Sequence, residues 1–321
     1  YTDTWMAAFR SGRRVRYEAF AYEPLREANR LTFGLASVPS YDFGAAKYIL
    51  SFGADFLETW ISPTSNAIGF AESHGYHEGR MAKFVALTPR RGMTDFSADE
   101  WFAPRPGAEH LIALALANEI FRIGRARVTC GDADALRGFL SRFDAATVAN
   151  QTDVAAAEIE RLAREFTAET PGLALGGSVA NRHGAATQLD VAVNILNLVA
   201  GNVGHTVTFP ASSVWDRVGS YRDMANLVTA LNAGSVDVAI VHGTNPAFTM
   251  PAGAGFAAAF AKARLRVSFS SYLDETAELC DLMLPDHHSL ESWDIYEPMA
   301  GVTGTMQPTI QPIHHTRQTT D

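Results

Sequence analysis

The stretch Ser235–Pro246, reading Ser-Val-Asp-Val-Ala-Ile-Val-His-Gly-Thr-Asn-Pro, constrains the fold more than any other. Val236 to Val241 is a short β-branched apolar run, which reads as a buried parallel strand. Gly243 lets the backbone turn sharply, and Pro246 forbids the strand to continue. A helix-like run from Gly255 to Arg264 follows, then a second apolar strand, Leu265 to Phe269. Such a βαβ unit belongs to sheets that bind ligands at the carboxyl ends of their strands. A lone Gly-x-Asn-Pro is also an ordinary strand-to-helix turn.

The sequence contains the unit twice. Ala45 to Phe52 is another buried apolar strand, and it runs into Gly53-Ala54-Asp55. A helical segment, Pro63 to Ser73, precedes the second strand, Lys83 to Leu87. The likeness extends further. Thr94, Ala98-Asp99 and Pro104 trail the first unit, and Thr276, Cys280-Asp281 and Pro285 trail the second. The matched trailing pattern counts against chance similarity and points to two related lobes.

A length of 321 residues allows two α/β domains, and a hydrophobic fraction of 47% supplies a core. The net charge of −9 argues against a nucleic-acid backbone as main partner. The basic patch Arg10–Arg16 is too local to change that and reads as a solvated turn before a strand. The two cysteines, Cys130 and Cys280, form no Cys-x-x-Cys pair, so they make no disulfide framework, zinc ribbon or iron–sulfur run. They read as small packed hydrophobes. No apolar run approaches the ~20 residues of a membrane span, and no signal peptide is recognisable. The chain starts at Tyr1 and closes on Thr319-Thr320-Asp321, which reads as an excised piece of something longer.

Along the chain, Arg14 to Glu18 suggests an edge strand and Pro24 to Asn29 a helix. Glu100–Ala103 is a short strand before the Pro104–Gly107 turn and an apolar helix, Glu109 to Ile123. The free N–H groups at that helix start form a natural anion site. Asp132 and Asp134 open a helix reaching Phe143, and Thr152 to Phe166 forms an amphipathic one. Leu173–Gly177 is a small strand, Gln188–Ala200 a buried helix, Val207–Ser213 a loop and Tyr221–Asn232 a helix. Tyr296 to Pro312, rich in Gly, Pro, Thr and Gln, reads as irregular.

Candidate chemistry is sparse. His74 and His77 could hold a metal, but two histidines three apart beside a glycine more often lie on a surface loop, and His287-His288 and His314-His315 are similarly weak. There is no Gly-x-Ser-x-Gly elbow, no complete G-x-G-x-x-G and no P-loop. The residues by themselves give two nucleotide-type lobes without a catalytic group, a binding scaffold whose chemistry would come from a cofactor or from other segments.

The motifs taken together resemble the molybdopterin oxidoreductase (dimethyl sulfoxide reductase) superfamily. Ser51–Thr59 is similar to its first dinucleotide-binding lobe, and Thr88-Pro89-Arg90, Ala98-Asp99 and Arg105–Glu109 to the series that follows. Leu196–Gly204 resembles the helix that ends in Thr-Gly-Asn-Ile-Gly. His242–Pro246 and Asp274–Pro285 resemble the second lobe's motifs, so the match spans nearly the whole chain in order.

The resemblance implies two Rossmann-like three-layer parallel-sheet lobes related by a pseudo-repeat, residues 1–175 with a helical extension and residues 176–321. It also implies cluster-binding and cofactor-binding segments outside this sequence. Family members carry two molybdopterin guanine dinucleotides around molybdenum or tungsten, often wired to an iron–sulfur cluster. Gly53, Asp55 and Glu58 would border one dinucleotide, and Gly243, Asn245, Pro246 and Glu275 the other, with Arg90, Arg105 and Glu109 in support. The acid that usually bonds each guanosine is replaced by Thr88 and Ser270. A hydroxyl lacks a carboxylate's charged, two-acceptor bond, so cofactor binding is expected to be weakened or absent.

The wording of residues 52–60 and 268–276 resembles one branch, the large extracytoplasmic subunit of alternative complex III. Its molybdopterin-like domain is thought to be a cofactor-free scaffold. This implies iron–sulfur and quinol-oxidising membrane subunits as partners and a periplasmic location. The alternative is a catalytic, polysulfide reductase-like bis-molybdopterin enzyme. By either reading these residues alone are expected to be inactive.

Overall fold

The computed structural model describes residues 2–9, 13–128, 132–177, 184–211, 214–299 and 302–319. The chain divides into two compact units, residues 22–216 and residues 1–21 with 217–321. Helix α1 (Thr2–Ala8) belongs to the second. The first unit runs α2 (Glu23–Phe33), β1 (Ser40–Tyr41), β2 (Tyr48–Ser51), α3 (Pro63–His74), β3 (Lys83–Leu87), α4 (Met93–Phe96) and β4 (Glu100–Phe102). It continues through α5 (Glu109–Arg122), α6 (Ala133–Leu140), α7 (Ala145–Thr152), α8 (Ala156–Ala168), β5 (Gly172–Leu175), α9 (Ala186–Ala200) and β6 (Val207–Thr208). The second unit adds α10 (Tyr221–Asn232), β7 (Val238–Val241), α11 (Pro246–Thr249), α12 (Phe256–Phe260), β8 (Leu265–Ser268) and β9 (Leu282–Met283). It ends in β10 (Asp294–Met299) and β11 (Val302–Met306).

In the first unit β4-β3-β2-β5 form a wholly parallel sheet. Strand alternation sends Tyr48, Leu50, Val85, Leu87 and Ala174 to one face, where Ile112 and Leu116 of α5, Leu162 of α8 and Leu196 of α9 cover them. Ile49, Phe84, Ala86, Leu173 and Leu175 take the other face, against Leu25, Phe56, Trp60 and Phe70. All ten strand residues are at most 1% exposed, so these runs carry no polar alternation. Asn197 of α9 closes the outer edge of β5: its side chain accepts from Ala174 N–H (3.0 Å) and donates to Ala174 O (2.8 Å). Helix α9 thus completes the first sheet. The division expected after residue 175 falls inside this unit, which extends to residue 216.

In the second unit β7-β8-β9 are parallel, and among the described residues only one face is covered. Ala239 and Val241 pack toward Met224, Val228 and Leu231 of α10 and Ala259 and Phe260 of α12. On the opposite face Val238 is 52% and Ile240 42% exposed, beside exposed Leu265, Leu282 and Leu284. The strand expected to be buried is therefore a half-covered edge strand, because no described helix lies on that side. Among the described residues this lobe has two layers, not three.

Three further expectations are corrected. The helix read over 152–166 is α8, which begins only at Ala156, because Asp153 takes a left-handed φ of 61° that ends the separate helix α7. The supposedly irregular 296–312 contains an antiparallel hairpin, β10–β11. Arg14 to Glu18 forms no strand; Arg14 instead pairs with Asp3 at 2.6 Å. Cys130, Arg10 to Gly12 and the end of the 207–213 loop lie outside the described residues. No described helix is long and apolar enough to cross a membrane.

Candidate functional site at the carboxyl ends of the strands

Beyond β2 the chain turns through Gly53 (φ 81°), and beyond β7 through Gly243 (φ 64°), left-handed conformations that favour glycine. From there the two units repeat each other's hydrogen bonds. Leu57 N–H donates to Thr94 Oγ1 (3.2 Å), and Ala247 N–H to Thr276 Oγ1 (3.0 Å). Each threonine then donates its own N–H and hydroxyl to a single side-chain oxygen. For Thr94 this is Glu58 Oε2, at 3.1 Å for both bonds. For Thr276 it is Asn245 Oδ1, at 3.2 and 2.7 Å.

The trailing aspartates are equally matched. Asp99 accepts Phe84 N–H at 2.8 Å, and Asp281 accepts Arg266 N–H at 2.9 Å. Their own N–H groups return to Phe84 O and Arg266 O, each at 2.9 Å. A threonine is needed because a buried loop amide must find an acceptor, and the hydroxyl can accept and donate at once. An aspartate is needed because its carboxylate takes a strand amide at the point where the next strand joins. The sequence repeat is thus matched by repeated hydrogen bonds, although the oxygen that clamps the threonine comes from Glu58, five residues after Gly53, in one unit and Asn245, two after Gly243, in the other.

The residues expected to border a dinucleotide are largely engaged with one another. Glu58 is held by Thr94, and the Asp55 carboxylate accepts the Thr59 hydroxyl. Asn245, Pro246 and Glu275 gather around Thr276, with Asn245 Nδ2 donating to Glu275 Oε2 at 2.6 Å. Arg105 is taken up by Asp153 through two 2.8 Å bonds. Glu109 is buried in the first turn of α5 with Oε2 lacking a hydrogen-bond partner. Arg90 is exposed, and its carbonyl accepts from Thr88. Arg105 and Glu109 belong to the α5 entry rather than to either threonine cluster.

At the ends of β3 and β8 the two substituted positions turn inward. Thr88 Oγ1 donates to Arg90 O (3.2 Å). Ser270 Oγ donates to Asp274 Oδ2 (3.0 Å) and accepts Tyr272 N–H (3.2 Å). Burial pushes the Asp95 carboxyl up, against the pull of its bond from Gly92 N–H.

Sequence reasoning missed Arg91, whose guanidinium lies 4.9 Å from the Phe96 ring and 5.1 Å from Trp101. Phe96 and Trp101 follow Arg91 by five and ten positions, a spacing that carries no helix or strand signal. His74 is a packed residue, Nδ1 at 2.7 Å from Ala82 O and its ring stacked on Phe70. Among the described residues no group of three His, Cys, Asp or Glu could hold a metal. Cys280 is half-buried, its Sγ donating to Thr276 O.

A sequence model of the Molybdopterin oxidoreductase family matches residues 21–321, and the chain belongs to that family. A curated relative is the menaquinone reductase, molybdopterin-binding-like subunit of Nitratidesulfovibrio vulgaris (strain Hildenborough). It is 32% identical over 267 residues, which cover 79% of this chain and 38% of the relative. The chain therefore spans well under half of that relative's length. Among solved structures, acetylene hydratase from Pelobacter acetylenicus matches with a TM-score of 0.72 at 18% identity, over 95% of this chain and 50% of that one. At that identity the likeness is one of fold, an α/β architecture with parallel sheets.

Proposed function

We propose that this chain is part of a molybdopterin oxidoreductase-family subunit of a membrane-associated respiratory electron-transfer complex, with its dinucleotide-binding fold kept as a scaffold. The relative described as a menaquinone reductase, molybdopterin-binding-like subunit supports the respiratory part of this reading. The observation that carries the scaffold part is the pair Thr88 and Ser270. Their hydroxyls are bonded within their own loops, so neither offers the charged acceptor that a guanosine ribose would need. The residues at the ends of β3 and β8 do not fit that half of the cofactor.

On this reading the partners are iron–sulfur subunits and a quinol-oxidising membrane subunit, at the extracytoplasmic face of a bacterial inner membrane. Within the family the branch is that of the large subunit of alternative complex III. The second reading is a catalytic bis-molybdopterin guanine dinucleotide oxidoreductase. The intact Gly53 and Gly243 turns favour it, since both still let a ligand approach the backbone.

The test is elemental and nucleotide analysis of the full-length protein purified from its native host. The scaffold reading expects neither molybdenum nor tungsten and no released guanine nucleotide. About one metal and two guanine nucleotides per chain, the family stoichiometry, would establish the catalytic reading instead.

A further inference from the structure

Helix α4, a single turn beyond β3, is fixed from beneath. Gly92 N–H donates to Asp95 Oδ2 (2.8 Å), and Thr94 is held to Glu58 by two 3.1 Å bonds. With Thr94 and Asp95 buried, Met93 and Phe96, three apart on the helix, stand on its outer side, 74% and 69% exposed. Trp101 of β4 is pinned by its Nε1–H, which donates to Thr88 O at 2.9 Å. Arg91 lies against both rings, 4.9 Å from Phe96 and 5.1 Å from Trp101. Such ring contacts engage the face of a guanidinium and leave its N–H donors for acceptors. Among the described residues the guanidinium groups of Arg90 and Arg91 make no hydrogen bond or ion pair. Arg105, Arg122, Arg161 and Arg266, by contrast, are each closed by a carboxylate at 2.8 Å or less.

We propose that Arg91, Met93, Phe96 and Trp101 are the centre of a docking surface for another protein subunit, one that presents an Asp or Glu carboxylate to Arg91 from within an apolar contact. This rests on the reading of the chain as a subunit of a complex, and it names where a partner sits. Charge selects the occupant. With a net charge of −9 the chain as a whole repels an acidic partner, which is drawn instead to the place where two adjacent arginines lack counter-ions. Composition selects the kind of contact. Trp, Phe, Met and Arg are the residues enriched at interface cores, and side chains already held against one another lose little freedom on binding. An anionic lipid surface fits less well, since such sites gather about four or more basic residues and this one has two, with Asp99 close by in sequence.

The experiment is photo-cross-linking of the full-length protein, isolated from its native host, with Phe96 replaced by p-benzoylphenylalanine. The expected product is a covalent link to a peptide of a different subunit that carries Asp or Glu beside the linked residue. Arg91→Glu should then weaken that subunit's binding on the order of 30-fold or more, and Arg91→Lys by less, with the melting temperature unchanged in both. A link only to the same polypeptide, to a second copy or to lipid overturns the proposal. So does an Arg91→Glu variant that binds as the wild type does. Other subunits that copurify without any link overturn the proposal and leave the reading as a complex standing. A full-length protein that purifies with no other subunit overturns both. If the photoreactive variant does not assemble, hydrogen exchange of the wild-type 91–102 peptide decides. Slower exchange in the complex than in the separated subunit is expected, and equal exchange overturns the proposal.

Discussion

The two parallel sheets share one design in the loops at their strand ends and differ in the layers behind it. Each has a left-handed glycine, a threonine clamp on the following loop and an aspartate that caps a strand amide. Yet the first sheet lies between two helical layers and the second against one. Loop geometry in this fold is therefore held by local polar bonds and does not depend on how much apolar surface is covered. Burial supplies stability, and the threonine and aspartate bonds supply shape.

Replacing Leu50 and Ile240 by Asp breaks the comparison most sharply. Leu50→Asp puts a charge where exposure is 0% and should cost about 4 kcal/mol or more, enough to unfold the first unit. Ile240→Asp in residues 1–321 should cost under about 1 kcal/mol, since the side chain already meets water. Denaturant unfolding followed by hydrogen exchange in each unit separates the two, and equal costs would contradict the half-covered sheet. Thr94→Val and Thr276→Val sharpen it. Both hydroxyls are buried and both satisfy a loop amide, so each change should cost about 1–3 kcal/mol, similar in the two units.

The layer that only the first sheet has carries a burden of its own. Asp190 in α9 is buried with neither carboxylate oxygen hydrogen-bonded, and burial pushes its carboxyl well up. A raised acid is stabilising only when protonated, so its cost is absent below the ordinary carboxylate pKa and grows as pH rises above it. Asp190→Asn should raise stability by about 1–2 kcal/mol at neutral pH, the gain shrinking as pH falls toward 4. Melting temperature against pH reads this out.

The smallest expected effect sits at the other end of the first sheet. Lys83 bridges Glu100 (2.5 Å) and Glu165 (2.7 Å), and Arg161 joins the same two carboxylates. Burial opposes ionisation of Glu165, but its bonds from Lys83, Arg161 and Tyr48 bring its carboxyl down to about 2. A depressed acid stabilises above its unfolded pKa and loses that contribution as pH falls through the folded value. The first unit should thus lose about 1 kcal/mol between its ordinary value and pH 2, and Glu165→Gln should abolish that loss. Strand pairing and the aspartate bonds place Val238, Leu265 and Leu282 of the second unit where Tyr48, Lys83 and Glu100 stand in the first, so this cluster is not repeated there.

The repeat was legible because Thr94, Asp99, Thr276 and Asp281 sit at fixed offsets from their strands, and local polar bonds require those residue types. The family followed from the ordered motif series. Burial of the second sheet was not legible: Val236–Val241 is as apolar as Tyr48–Phe52, and a sequence cannot say whether a neighbouring layer is at hand. The later start of α8 was hidden because nothing in the residue type of Asp153 announces its left-handed φ. The hairpin was hidden because Pro298 and Gly304 carry weak strand preference, and cross-strand pairing overrides it. Thr88 and Ser270 were readable as substitutions, but not the direction in which their hydroxyls turn.

The strand order β4-β3-β2-β5 also orders events in time. Tyr48 pairs with Lys83 across a single helix, but with Gly172 only after five further helices have been made. Closing the longer loop costs more entropy and must wait for the chain to emerge, so β2-β3-β4 assemble first and β5 arrives last. Until then the free edge of β2 is an unpaired template, open to another strand. A nascent chain paused before Gly172 would be the form most prone to aggregate, and a binder of extended apolar segments acting in that interval would raise the yield of folded protein.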